Sequence, residues 1–380
     1  MTHKSSGSAL LATLLFLGVI CVLAQKLVQS SLLTSRMLSE QISATEAKIL
    51  ALNGLTLAFT QLSVENQSNK KQPPEDIKKN FLLRILPTLN RWQTFKLSNE
   101  LDGMNGTIKI CISCEEGKFP IHDLIDSKSK TLNKAYLPLL KNFEELTSKK
   151  NSGILTRITQ FLQKQTTPLE DPTQLNSAFQ QSLFFDPTRP LVTNKKQLPP
   201  PPQLPWLDLF SCWNPTNKIN PLFLSNSACL VLKLKNPFNK PIDDKDEKDI
   251  YPRIAETISK GWGTDWKKNW STLSPLYGVE PQMPAEMTPL LSEAVEPSVF
   301  SVLSCGTVRG IEQRLYAIVH KKKLPESTEK KSTNPPGEAK QQADTGIQTC
   351  ISPENTCGIV RMYWIDKFNN YDNQTVGLNT

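Results

Sequence analysis

Histidine is nearly absent from this chain, with three in 380 residues, at positions 3, 122 and 320. His122 and His320 lie near carboxylates and lysines, but no histidine–carboxylate metal spacing, nucleophile elbow or phosphate loop accompanies them. No enzymatic site is therefore expected. Cys111 and Cys114 form a CxxC with neither a second pair nor a neighbouring histidine, which argues against zinc. Acidic residues are missing from the N-terminus up to Glu40, and neither proline nor glycine occurs between Gly18 and Gly54. A helix begun near the N-terminus has nothing to stop it. No internal repeat is present.

The chain does carry 44 basic against 36 acidic residues, a net charge of +8, together with 28 prolines and eight cysteines. Its length suits one large domain or two ordinary ones, and the prolines point to stiff connections between compact parts. The denser lysine runs, NKKQPPEDIKK and KKKLPESTEKK, contain acids and prolines and lack interleaved aromatics. They read as solvated basic surface, not as a nucleic-acid face.

Between Ala9 and Ala24 there is no charged residue; Lys4 precedes the run and Lys26 follows it. Alone, this is short for a membrane span. It fits a signal-peptide core, with Val22-Leu23-Ala24 suited to the cleavage positions. It also fits the start of a longer helix, because Leu32 and Leu33 extend the apolar stripe while Lys26 snorkels to the interface. Beyond Lys26 the apolar residues fall at Val28, Leu32, Leu38, Ile42, Ile49 and Leu52, near the helical period. The economical reading is one helix, transmembrane over 8–33 and amphipathic over 34–64.

Lys4, Gly7, an uncharged helix and an amphipathic continuation resemble the type IV pilin and pseudopilin family. In that family a dedicated peptidase cuts after the glycine, here between Gly7 and Ser8, leaving 1–7 as a leader. Most members carry a glutamate five residues into the processed chain; Ala12 stands there. In lacking it the chain resembles the minor pseudopilin K family of type II secretion systems. A buried carboxylate is costly without a cationic partner, so a subunit at a fibre end has less need of one. Three stretches add to the resemblance. EEGKFPIHDLID matches the family's strand-turn-helix signature at Gly117, Lys118, Phe119, Asp123 and Leu124, and departs from it at Pro120 and His122. SVFSVLSCGTVRGIEQRLYAIVHKK reads as two strands around a Gly306 to Gly310 turn. CGIVRMYWIDKF resembles the last strand, with Tyr363 and Trp364.

The implied fold is α+β: a long helix packed on a small antiparallel sheet, with a large, mainly helical domain inserted into it. The first part of the pilin-like domain covers 81–126, the insertion 127–297 with a proline-rich spacer at 193–206, and the returning strands 298–320 and 346–368. Residues 321–345, rich in Lys, Glu, Pro, Ser and Thr, read as a disordered loop. KAYLPLLKNFEELTSKK, GILTRITQFLQKQ and PRIAETISKGW are amphipathic helical patterns within the insertion.

The implied role is a structural subunit at the tip of a secretion pseudopilus, single-pass in the inner membrane with its bulk in the periplasm. Its partners would be other minor pseudopilins, the major pseudopilin and the prepilin peptidase, and its assembly contacts would come from Leu10, Leu11, Ala12, Leu14, Val28, Leu32, Leu38 and Ile42. Rival readings are a minor pilin of a type IV pilus or DNA-uptake system, and a secreted or periplasmic binding protein with an ordinary signal peptide. The one cofactor the sequence offers is calcium, through Asp243, Asp244, Asp246 and Asp249, against the plainer reading of a solvated acidic loop. Trp262, Trp266 and Trp270 recur every four residues and are candidates for one core-facing stripe or for a partner contact. Cys350 and Cys357 flank a turn-like ISPENT and suit a cross-hairpin disulfide, with Cys212 and Cys229 as a second pairing; Cys111 and Cys114 fall on opposite faces of a strand.

Overall fold

The computed structural model describes residues 6–63, 74–126, 129, 131–147, 153–165, 167–172, 174–175, 206–216, 218–234, 251–257, 266–277, 287–292, 297–321 and 357–365. Helix α1 (Ser6–Leu62) runs unbroken for 57 residues, about 85 Å at the standard rise. Its threonines do not interrupt it, because Thr34 and Thr45 donate their hydroxyls to the carbonyls of Ser30 and Gln41, four residues back, at 2.9 Å each. The most apolar window of α1 has a mean hydropathy of 2.2 and is not buried at all. From Ser43 onward one face is covered, through Ala47, Leu50, Ala51, Leu55, Ala58 and Leu62. Those spacings of three and four are one helical face.

This face packs on a five-stranded antiparallel sheet of order β1-β2-β5-β6-β7, formed by β1 (Trp92–Leu97), β2 (Gly106–Cys114), β5 (Val299–Val308), β6 (Ile311–Lys321) and β7 (Cys357–Ile365). The α+β architecture read from the sequence is present. The stripe that meets the sheet is a different one, however, since Ile49 and Leu52 stay 48% and 41% exposed. The face turned to the sheet carries alanine and glycine, which let the two backbones approach. A Cβ on Gly306 of β5 would lie 2.1 Å from the Ala47 carbonyl oxygen and 2.7 Å from the Ala51 nitrogen. Beside it Ser304 donates its hydroxyl to the Ala51 carbonyl at 2.7 Å.

Gly306 is thus a strand residue, and the expected Gly306 to Gly310 turn is corrected to the two-residue Arg309-Gly310 turn. Both residues have positive φ, 48° and 82°, the twist that a tight hairpin between twisted strands requires. Alternation places Ile110, Ile112, Phe300, Val302, Ala317 and Val319 toward α1, and Trp92, Cys111, Leu303, Tyr316 and Tyr363 in one row across the other face. Leu207 and Trp213 cover that row.

Between β2 and β5 the chain leaves the sheet. The signature stretch forms a 3-10 turn (Glu115–Gly117), the two-residue strand β3 (Phe119–Pro120) and a second 3-10 turn (Ile121–Leu124), so no α-helix follows the strand. Helices α2 (Pro74–Ile85) and α3 (Asn99–Asp102) precede and follow β1; after β3 come α4 (Leu137–Thr147), α5 (Ile154–Lys164), α6 (Trp206–Leu209), β4 (Phe210–Ser211) parallel to β3, α7 (Asn226–Val231), a helix α8 at 251–257 and α9 (Trp266–Tyr277). Phe143, Phe210, Phe223 and Trp270 of this region belong to the same continuous core as Leu50 and Ile110. The helices and the sheet therefore share one core among the described residues.

Candidate functional site

The surface most available for function is α1 itself. Leu11, Leu14, Val28, Leu32, Leu38 and Ile42 are each more than half exposed, and Ala12 is exposed among them. Nothing within the described residues covers these positions, although an apolar side chain in water loses about 1.5–3 kcal/mol relative to burial. Gly7 and Ser8 lie within the helical span, as does Leu10.

The folded body that α1 carries is tied together at a second place, a buried polar node after β2. Glu115, Glu116 and Lys118 are 0%, 1% and 1% exposed. The Lys118 ammonium donates to Glu115 Oε1 and, at 2.8 Å, to the Ser301 hydroxyl of β5. Glu116 Oε1 accepts from the backbone N–H and the hydroxyl of Ser298, both at 2.8 Å. The backbone of the turn engages the insertion, because Asn220 N–H donates to the Glu116 carbonyl at 2.7 Å and Ser225 N–H to the Gly117 carbonyl at 3.1 Å. A Cβ on Gly117 would lie 1.8 Å from the Phe223 carbonyl oxygen, so only glycine lets this loop seat. The Asn90 side chain donates to the Leu224 carbonyl at 2.9 Å and holds the loop from the other side.

The node buries two carboxyls and one ammonium, and the ammonium pairs with Glu115. Burial pushes the Glu116 carboxyl above the usual carboxylate range; the Ser298 bonds and the Val299 N–H pull it back, and the Glu115 charge raises it again. Native Glu116 therefore holds its proton more tightly than the unfolded chain does. Stability falls as pH rises from the ordinary carboxylate range through the raised value, and this contribution is level above it. Glu116→Gln keeps an acceptor for both Ser298 bonds and removes the charge. Urea midpoints measured between about pH 4 and pH 8 should lose that downward component in the variant. An unchanged slope would assign it to another group.

The structure distributes the sequence candidates unevenly. Trp270, a candidate partner contact, is fully buried and stacks on Tyr277 at 6.0 Å and 10°. It is a core residue, because the Tyr277 hydroxyl donating to the Pro221 carbonyl at 2.6 Å locks α9 inward. Trp262 and the Trp266 side chain lie outside the described residues. So do Asp243, Asp244, Asp246 and Asp249, and Cys350 with the Cys357 side chain. Among the described residues no group of three His, Cys, Asp or Glu could hold a metal.

Cys212 and Cys229 are both free thiols, which corrects that pairing: Cys229 sits in the core on α7, and Cys212 packs against the same core after β4. Cys111 and Cys114 do fall on opposite sheet faces, and each thiol is free. Burial pushes Cys111 up to about 12 and Cys114, Cys212 and Cys229 higher still, so these four are protonated and poor nucleophiles.

Sequence reasoning missed Gly306 and the burial of Lys118. A glycine inside an alternating strand is a signal of close backbone approach and marks Gly306. Nothing local marks the Lys118 partner Ser301, 183 residues away.

No protein-family model matches this chain. No curated protein matches it either. Among solved structures, it is similar to a chain in the crystal structure of the GspK-GspI-GspJ complex from the enterotoxigenic Escherichia coli Type 2 Secretion System. The TM-score is 0.36 at 11% sequence identity, over 88% of this chain and 99% of that chain.

Proposed function

We propose that this chain is a membrane-anchored structural subunit of the pseudopilin kind, a minor pseudopilin of a type II secretion system acting at the tip of a short fibre. The observation that carries the reading is α1. An exposed, uncharged apolar segment continues without a break into a segment whose small-residue face is packed on an antiparallel sheet. A cleaved signal peptide needs no such continuity, whereas an anchor that doubles as the spine of a fibre does.

In this reading the prepilin peptidase cuts after Gly7, Ser8 becomes the first residue, 8–33 remains in the inner membrane and the body lies in the periplasm. Leu11, Leu14, Val28, Leu32, Leu38 and Ile42 then meet the helices of other minor pseudopilins and of the major pseudopilin. Ala12 in place of an acid suits a subunit with no neighbour amine to neutralise on one side. Calcium binding by the 243–249 acids belongs to the same proposal, and calorimetric titration is its check.

The deciding experiment is N-terminal sequencing of the mature protein from its own membrane. A start at Ser8 supports the assignment. A start at Gln25 replaces it with a secreted or periplasmic protein released by signal peptidase.

A further inference from the structure

Helix α1 has a second apolar line, on the side turned away from its own sheet. Steps of three and four alternate from Leu14 to Thr56 and meet an exposed residue every time. We infer that this line is a heptad seam on which a second copy of the chain packs, as a parallel two-stranded coiled coil. The inference deepens the reading of α1 as an assembly helix and rests on it for direction, because two copies anchored by 8–33 enter one bilayer the same way up.

From Leu11 to Ile42 the helix is exposed all round, so the telling part lies beside the sheet. There Ser43, Ala47, Leu50, Ala51 and Gly54 are covered, while Thr45, Ile49, Leu52 and Thr56 stay exposed. Ile49 stands about 200° round the helix from Ala47, which puts the seam opposite the sheet. Two copies joined along it keep their folded bodies on the outside. The two threonines bring no unmet donor to the seam, since their hydroxyls donate to the Gln41 and Leu52 carbonyls at 2.9 Å and 3.3 Å.

The residue types select two strands and a like partner. β-Branched Val28, Ile42 and Ile49 fall at one seam position and Leu17, Leu38 and Leu52 at the other, the distribution that favours parallel dimers. Ser31 and Ser35 are the polar interruption; they weaken the seam and fix its register. In parallel pairing Gln41 of one copy flanks Glu46 of the other, and Lys48 flanks Asn53, so no like charges meet. From Leu14 to Thr56 the strip is about 63 Å long and about 11 Å wide, or about 700 Å² per chain, close to the roughly 800 Å² per partner of stable interfaces. A seven-residue repeat drifts about 20° per heptad on a straight helix, so pairing winds α1 into a left-handed supercoil. Because Val28, Leu38 and Ile42 also belong to the contacts proposed for the fibre, the pair must part before a copy joins it.

The test is disulfide cross-linking of the full chain in its own membrane, in a background of Cys21→Ser, Cys350→Ser and Cys357→Ser. The thiols left in that background, Cys111, Cys114, Cys212, Cys229 and Cys305, are buried or half-buried, and the background itself is the blank. Under a mild oxidant, Leu38→Cys and Ile49→Cys should each give a dimer of two copies. The yield should be at least about ten-fold that of Met37→Cys, which is 64% exposed but off the seam. Adding Ile49→Lys should cut the Leu38→Cys yield about five-fold, because two lysines then meet across the seam. Equal yields at 37 and 38, no dimer at 38 or 49, or cross-links that join this chain only to a different protein overturn the inference. The mature N-terminus, read on the same samples, separates the two readings: a Ser8 start without the dimer leaves the assembly helix standing, and a Gln25 start removes both.

Discussion

Lys118→Met should lower the unfolding free energy by about 3–5 kcal/mol, read as the shift in urea midpoint of the detergent-solubilised chain by tryptophan fluorescence. The size follows from what the substitution leaves behind. Glu115 is wholly buried, and its Oε1 takes its ion pair from Lys118. Glu115 Oε2 has no hydrogen-bond partner among the described residues, so the remaining carboxylate would be buried without a counter-charge. The Ser301 hydroxyl loses its donor at the same time. Removing one member of a buried pair is costly because the other stays charged; removing both is not. The double variant Lys118→Met, Glu115→Leu should recover most of the loss. If the single variant falls within about 1 kcal/mol of wild type, Lys118 does not hold Glu115 in a dry site.

The same node shows where sequence reading stops. Two acids, a glycine and a lysine in a row are polar by composition, and polarity predicts exposure. The node is buried because Ser298 and Ser301 return beside it after more than 180 residues. Only the fold supplies that meeting. The long helix was legible because absence is a local property: no acid until Glu40, no breaker from Gly18 to Gly54.

Which side of α1 faces the sheet was not legible by hydropathy, which ranks Ile49 and Leu52 above Ala47, Ala51 and Gly54. Packing at close range places Ala47, Ala51 and Gly54 between Leu50 and Leu55 on the covered face, while Ile49 and Leu52 turn outward. Alternation marks the β5–β6 hairpin as two strands, but a glycine at 306 resembles a turn residue and widens the expected turn beyond Arg309-Gly310. The spacing of Trp266 and Trp270 placed them on one helical face, but only the Tyr277 stack reveals that Trp270 points into the core.

Gly306→Val should cost at least about 3 kcal/mol, at or above the upper end of ordinary overpacking, because what the new side chain meets is backbone. Its Cβ would fall 2.1 Å from the Ala47 carbonyl oxygen, 2.7 Å from the Ala51 nitrogen and 2.8 Å from Leu50 Cβ. A flexible side-chain end could swing away; a helix backbone must move as a unit. Moving α1 off the sheet breaks the Ser304 to Ala51 bond and uncovers Leu50 and Ile110 together. The loss should therefore be visible locally as well as globally, with trypsin cutting faster after the exposed Lys48. Gly103→Ala is the contrast. Gly103 also rejects a side chain, but only through its positive φ of 73°, with open space around it. Strain of that kind should cost about 1–2 kcal/mol and leave Lys48 cleavage unchanged. If Gly306→Val behaves like Gly103→Ala in both measurements, α1 does not lie against β5 at backbone contact, and the small-residue face of the helix needs another explanation.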